Sequence, residues 1–499
     1  MQNQIFIKLT KYLFVQFILF FILFVHLMNH ECYGSELSSN PDLENLIPSL
    51  MKKYKIPGIA VALLDNYKIT SLQCYGFADR ANHRPITLKT IFQVGSISKP
   101  VSAWGILLLA KNGKINLDAS VEQYLTRWTL PESVFNKDDV TIRRILNHTA
   151  GLSVPNYPGY VSDRFIPTLV ESLNGKKDPQ TKLKIIQPPG LSFRYSGGGY
   201  SLLQLIIEEI TAQRFQDYMD QQVLKPLGML NSSFDVHRLD QDKISLSYGL
   251  MGDLQPYRYF TEQAAASLHT TIEDLAIFTL NCMLAFHNDS NKPHLLNKNA
   301  VLDMMSDKNS IYGLGYSLDE LSNGTKIIFH TGANKSWRSG MFTLPEMGSG
   351  IIIMTNSDNG FDLIEDVFNS WLLWKFQDQT TDYLMTLKLR KATFAITFFL
   401  TISFLMYLGF FILQLIKKQR SFITKIRKLA SPIKILIIAF YLFFLTSWWI
   451  IFYSPFVYPG GWIIGAFMPF GFWYLTISMT LWMLFLLILV FFPKQKPMH

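Results

Sequence analysis

Residues 91–114 read IFQVGSISKPVSAWGILLLAKNGK. A strand-like IFQV meets Gly95, and an almost wholly apolar helix follows, running to a stop at Asn112-Gly113. A helix with no polar face is buried on every side. Ser96 therefore stands at the N-terminus of a buried helix, and Lys99 lies one turn later on the same side. Unpaired N–H groups and the positive end of the helix dipole favour an oxyanion at that place. Desolvation disfavours the ammonium form of a buried lysine, so Lys99 can accept the Ser96 proton and make the serine a nucleophile. Ser-x-x-Lys also occurs at Ser49/Lys52 and Ser431/Lys434. Ser49 belongs to the amphipathic stretch LENLIPSLMKKYK, where both residues are ordinary surface choices, and Ser431 opens an apolar run near the C-terminus. A serine N-cap with a solvated lysine is common in general, but the helix after Ser96 is too apolar to expose a turn freely.

Strand signals lie on both flanks of this helix. GIAVALLDN (58–66) and KITSLQCYGFAD (68–79) form a hairpin pattern about an Asp-Asn turn. KIIFHTG (326–332), RSGMFTLP (338–345) and SGIIIMTNSD (349–358) read as three successive antiparallel strands, and a helix over 360–374 closes the domain. First and last strands are expected to share one sheet, leaving residues 99–321 as a mostly helical lobe. The fold class is α/β, an antiparallel sheet flanked by helices, within one exported domain at residues 35–382. Two further groups stand out. In FRYSGGGY (193–200) the glycines let backbone approach a ligand, and Tyr195, if it faces Ser96, can shuttle a proton as phenolate provided Lys99 holds its pKa down. His330-Thr331-Gly332 ends a strand whose exposed edge can hold an extended substrate by main-chain bonding. Arg338, six residues past Gly332, is a candidate for a substrate carboxylate, with a surface salt bridge as the alternative.

The chain has 499 residues, 49% of them apolar and 17% charged, too long and too hydrophobic for a disordered or disulfide-stapled chain. Its net charge of +9 is unevenly placed: from residue 383 onward there are 12 Lys plus Arg and no Asp or Glu, leaving 34 bases against 37 acids before it. Excess positive charge confined to a hydrophobic tail fits membrane topology, and a nucleic-acid partner would need a basic patch on the folded domain. Uncharged runs at 392–416, 435–453 and 472–492 are each long enough to cross a membrane. Seven bases crowd the loop 417–434 and none lies in 454–471, so the positive-inside rule makes the first loop cytoplasmic and the preceding domain extracytoplasmic. Residues 1–34, with the apolar run YLFVQFILFFILFVHL, read as a secretory signal or an anchor, and either one exports the domain behind it. Cys32, Cys74 and Cys282 fit no metal spacing, and no His-Glu-x-x-His is present, so no metal and no other cofactor is expected. Whether Cys74 and Cys282 pair stays open.

Taken in order, Ser96-Ile97-Ser98-Lys99, Tyr195-Ser196-Gly197 and His330-Thr331-Gly332 resemble the nucleophile, Tyr-x-Asn and Lys/His-Thr-Gly motifs of the serine β-lactamase and penicillin-binding-protein superfamily, in its class C and D-alanyl-D-alanine carboxypeptidase branch. LNHTAGL (146–152), KPLGMLNSSF (225–234), AAASLHTTIEDLAIF (264–278) and YGLGY (312–316) match as framing segments, so the resemblance covers roughly 43–374. It implies a β-lactamase-like sheet with a helical lobe, Ser96 acylated, its proton exchanged by Lys99 and Tyr195, and an oxyanion hole made by the N–H groups of Ser96 and Ala333. Gly197 departs from the family's Asn, which grips a substrate amide, and His330 from the Lys of true class C enzymes; the histidine is usual among the family's peptidases and esterases. These departures point to a small ester or peptide substrate in preference to a β-lactam. The rival expectation is a weakly catalytic sensor that is acylated and signals through its membrane helices.

Overall fold

A computed structural model of the chain describes residues 43–287, 294–306, 311–422, 432–457 and 471–493. The expected signal at 1–34, Cys32, residues 423–431 of the basic loop and 458–470 of the uncharged connection lie outside them.

Helix α1 (Leu43–Tyr54) leads into the hairpin β1 (Gly58–Asp65) and β2 (Lys68–Asp79), which the short strand β3 (Arg84–Pro85) extends. The chain then leaves the sheet through β4 (Phe92–Gln93) for a lobe built on helices α2 (Ser98–Lys111), α3 (Gly197–Thr211) and α4 (Ile272–His287), where β4 pairs only with β5 (His269–Thr270). It returns as β6 (Ser317–Glu320), β7 (Lys326–Asn334), β8 (Trp337–Leu344) and β9 (Ser349–Thr355), followed by helix α5 (Gly360–Phe376). The strand order is β3-β2-β1-β9-β8-β7-β6, with β1 paired antiparallel to β9, so the first and last long strands meet at the centre of one sheet, as expected.

Central strands are covered on both faces, which is why their sequences run apolar without alternation. Ile59 and Val61 of β1, with Ile351 and Ile353 of β9, pack with α1 and α5 in one core; Ala60, Ala62, Ile352 and Met354 pack with the helical lobe in the other. Twelve of the 14 residues of α2 are buried, the outcome its composition demands. Cys74 and Cys282 are both free thiols.

A helix covers each of the three apolar runs: α6 (Thr381–Ile416), α7 (Pro432–Val457) and α8 (Gly471–Phe491). By length and composition Thr381–Ile416 and Tyr474–Phe491 are sufficient to cross a membrane. α6 starts well before its apolar part, capped by Thr380, and Arg390 in its first turns pairs with Asp362 at 2.5 Å, Asp366 at 2.6 Å and Glu365 at 3.1 Å on α5. Trp482 Nε1 donates to Leu400 O at 2.7 Å, and the Thr401 and Ser478 hydroxyls lie 2.9 Å apart, joining α8 to α6.

Candidate active site

Three segments far apart in sequence meet at the start of α2. The turn comes first. Gly95 has φ +53, open to glycine but costly to most side chains. The Ser98 hydroxyl donates to Gly95 O at 2.5 Å and accepts from Leu268 N–H at 2.9 Å, fixing the turn from inside, and Ser96 is left half-buried at the head of the helix. β7 crosses directly over it. A Cβ on Gly95 would stand 2.7 Å from Ala333 N, and one on Gly332 would stand 1.9 Å from Val94 O. Among the described residues β6 pairs with residues 326–329 of β7, so the edge from His330 to Asn334 is clear of β6. This close crossing sets the Ala333 amide against the Gly95-Ser96 turn, as a two-amide oxyanion hole requires. Gly332→Ala is therefore expected to force β7 off the turn, with a loss of at least about 10² in acylation rate and about 1–3 kcal/mol in stability. Single-turnover kinetics and thermal unfolding check both; wild-type rates in the variant would mean that the crossing is not needed.

Lys99 is 2% exposed, with Nζ 3.0 Å from Ser96 Oγ and donating to Ala265 O at 2.8 Å. Burial pulls its pKa down to about 7. Nζ donates in both contacts, and on losing one proton it keeps a donor for Ala265 and gains a lone pair for the Ser96 hydroxyl. The Tyr195 ring lies 4.9 Å from Lys99 Nζ, and the phenol is within hydrogen-bond reach of Ser96. The expected phenolate is corrected here. Burial pushes the Tyr195 phenol well above its usual range, and the Ser96 hydrogen bond only partly opposes this. Tyr195 is thereby held as a neutral phenol, a form that can donate a proton, while the buried Lys99 amine is the group placed to accept one.

His330 is buried, its Nε2 2.8 Å from Tyr312 OH and its Nδ1 2.6 Å from Thr331 O. The carbonyl accepts from Nδ1–H, so Nε2 accepts from the phenol. Burial, then the nearby Lys99, push the His330 pKa to about 3. The imidazole is neutral and brings no positive charge in place of a lysine. Thr331 and Ala333 alternate to the half-buried side of the strand.

Two further expectations are corrected. The Arg338 guanidinium is spent inside the protein: it donates to Asn334 O at 2.6 Å and Trp337 O at 2.8 Å and pairs with Asp358 at 2.9 Å, its side chain 1% exposed. Neither a substrate carboxylate nor the surface reaches it. Gly197 is also no part of a substrate wall. It is the buried first residue of α3, its N–H donates to Pro155 O at 3.1 Å, and a Cβ there would meet that same oxygen at 3.1 Å. Its φ is not positive, so what resists asparagine here is the crowding of the Pro155 loop and not the backbone.

Sequence reasoning did not single out Ala265, Tyr312 or His148 as site residues. Each sat inside a segment read only as a frame, 264–278, 312–316 and 146–152. The collinear order of those segments was the available signal.

The β-lactamase family profile matches residues 43–371, which include every residue of this site. Protein flp of Staphylococcus aureus (strain COL) is 24% identical over 334 residues, 65% of this chain and 64% of its own length. The chain thus spans less than two thirds of that relative. Penicillin-binding protein 4* of Bacillus subtilis (strain 168) is 24% identical over 350 residues, 63% of this chain and 71% of its own. Among solved structures, the octameric penicillin-binding protein homologue from Pyrococcus abyssi superposes with a TM-score of 0.55 at 25% identity, covering 64% of this chain and 73% of that one. The profile spans well over half of the chain, and the sheet-and-lobe architecture agrees with it: the chain belongs to the β-lactamase family of serine hydrolases.

Proposed function

We propose that the protein is a membrane-tethered serine hydrolase that forms an acyl-enzyme on a small ester or a D-amino-acid peptide and is weak on β-lactams. The observation that carries this reading is the Lys99 amine, buried and 3.0 Å from Ser96 Oγ at the head of α2. In the forward step Ser96 Oγ attacks the substrate carbonyl, its proton passes to Lys99 Nζ, and the oxyanion is held by the N–H groups of Ser96 and Ala333. The tetrahedral intermediate collapses as the Tyr195 phenol gives its proton to the leaving group and is reprotonated from Lys99. Water then repeats the sequence on the ester of Ser96 and releases the acid. The names of the penicillin-binding relatives support an acyl-transfer site of this kind.

The tether reading rests on α6 and α8 and on the charge pattern. The bases after residue 383 flank the apolar helices, and the crowding of seven in 417–434 supports a cytoplasmic side there and a hydrolase domain outside. Membrane lipid is then the surround of α6 to α8, and the small-molecule or peptide substrate comes from the extracytoplasmic space.

The preference rests on what is missing: the asparagine usual at this motif position is absent, and the buried Gly197 that stands there offers a substrate no side chain. Without a carboxamide beside the scissile carbonyl, a substrate amide loses a hydrogen bond of about 0.5–1.5 kcal/mol, more if a partner stays unpaired. Nitrophenyl esters, which carry no such amide, are expected to exceed penicillin in kcat/KM by about tenfold or more. Steady-state hydrolysis of both by the purified protein, with mass spectrometry of the adduct, tests the proposal. A wild type that turns over penicillin as well as the ester overturns the preference. A permanent adduct with every substrate favours the acylated sensor.

A further inference from the structure

His148 lies outside the three motifs, in a segment that frames the site, yet it brackets Tyr195 from both sides. Its own carbonyl accepts from Arg194 N–H at 2.7 Å, and its Nδ1 accepts from Ser196 N–H at 3.1 Å. The residues immediately before and after Tyr195 are thus tied to one histidine. The ring is 2% exposed and lies 4.3 Å from the Tyr195 ring, 4.6 Å from Tyr312 and 5.3 Å from Tyr200, centroid to centroid. Because Nδ1 accepts an N–H, the proton of the neutral ring is on Nε2. Burial, with Lys99 and His330 nearby, holds the ring well below the usual histidine range, so it stays neutral.

The backbone of His148 is itself unusual. It sits at φ +59, a conformation that costs a non-glycine residue energy unless its surroundings enforce it. At that φ its carbonyl and its ring both reach the Tyr195 segment. Among the described residues, the bond to Ser196 N–H is the one side-chain hydrogen bond of this ring, since Nε2 has no partner.

We propose that His148 is a positioning residue that clamps the Tyr195 peptide through its carbonyl and Nδ1, and so sets the distance of the Tyr195 phenol from Ser96 and Lys99. The inference rests on the proposed acyl-enzyme reading, in which Tyr195 carries the proton to the leaving group. It adds a residue that touches neither substrate nor the reacting atoms and acts only through Tyr195. Removing the Nδ1 acceptor frees Ser196 N–H and lets the phenol drift.

The test is a double-mutant cycle on acylation rate with a nitrophenyl ester and the full-length protein. His148→Gly removes the acceptor, glycine accepts the positive φ at no steric cost, and the cavity left by the ring is one that added imidazole can fill. His148→Asn keeps an acceptor, since Oδ1 stands close to the place of Nδ1, and asparagine tolerates the left-handed region. His148→Gly is expected to slow acylation about 10²-fold in the wild-type background and by less than about threefold beside Tyr195→Phe, where there is no phenol left to position. His148→Asn is expected to recover most of the rate, and added imidazole part of it in His148→Gly. Equal fold-losses in both backgrounds, or a His148→Asn as slow as His148→Gly, overturn the clamp and leave His148 as packing. Peptide mapping of the acylated wild type separates the two readings: an adduct on Ser96 with an additive cycle refutes the clamp alone, and an adduct elsewhere refutes both.

Discussion

Ser96→Ala is expected to abolish covalent labelling by fluorophosphonate or fluorescent penicillin and to bring ester hydrolysis to background. The reason is local. Of the two Ser-x-x-Lys serines among the described residues, Ser96 alone combines a turn at a positive-φ glycine, the head of a buried helix and a lysine amine 3.0 Å from its oxygen. Ser49 lies in α1, whose Lys52 is exposed. Loss of the nucleophile removes the covalent route altogether, so the effect is all-or-none in labelling and several orders of magnitude in turnover. Peptide mapping after labelling with a membrane-impermeant probe on intact cells reads both residue and side of the membrane. Label on Ser49, or label that survives Ser96→Ala, overturns the mechanism; label that appears only after lysis overturns the extracytoplasmic placement.

Lys99→Met is expected to slow acylation by about 10²–10⁴-fold, the usual size of general-base assistance, and at the same time to make the protein more stable. Lys99 in the folded protein has its pKa pulled to about 7 from 10.5 in the open chain. The unfolded chain therefore binds a proton that the folded protein refuses between those values. The resulting penalty is full at and below pH 7 and fades as pH rises toward 10.5. For a shift of this size it is on the order of 4 kcal/mol at neutral pH. Methionine carries no such penalty but leaves Ala265 O without its donor, at about 1–3 kcal/mol. A net gain of roughly 1–3 kcal/mol remains, a rise of a few degrees in Tm. The same pKa governs catalysis: wild-type kcat/KM for ester should fall about tenfold per pH unit below 7 and level off above it. A profile flat from pH 5 to 8, or a Lys99→Met that melts below wild type, would show that Lys99 is not a buried neutral base.

The gain in stability on losing activity comes from how the site is built. A lysine among the side chains of α2, α3 and β7 is the wrong residue for packing and the right one for taking a proton. The Arg390 cluster joining α6 to α5 lies on the far face of the sheet from this lysine, within the α1 and α5 layer, so α6 is attached to the layer of the domain opposite Ser96 and Lys99.

Residues alone determined whatever a short stretch of chain decides by itself. The β1–β2 hairpin, the run of three closing strands and the all-apolar α2 are set by periodicity and turn residues over windows of 8 to 20 positions. Ser96 and Lys99 belong to this class too, because a three-residue step along a helix brings side chains together whatever the rest of the fold does. Ionisation and reach were different. Whether Tyr195 is phenolate or phenol depends on how much water the whole lobe removes from its ring, a sum over segments from α2 to β7 that no local pattern contains. Arg338 looked free six residues past Gly332 until the loop after β9 brought Asp358 against it. Gly197 looked like an open position until the 155–157 loop closed over its α carbon, and His148 looked like a frame residue until its two acceptors were seen on either side of Tyr195. For Arg338, Gly197 and His148 the deciding contact joins residues 20 to 48 positions apart, and for Tyr195 about 100, distances that long-range packing sets and sequence spacing does not.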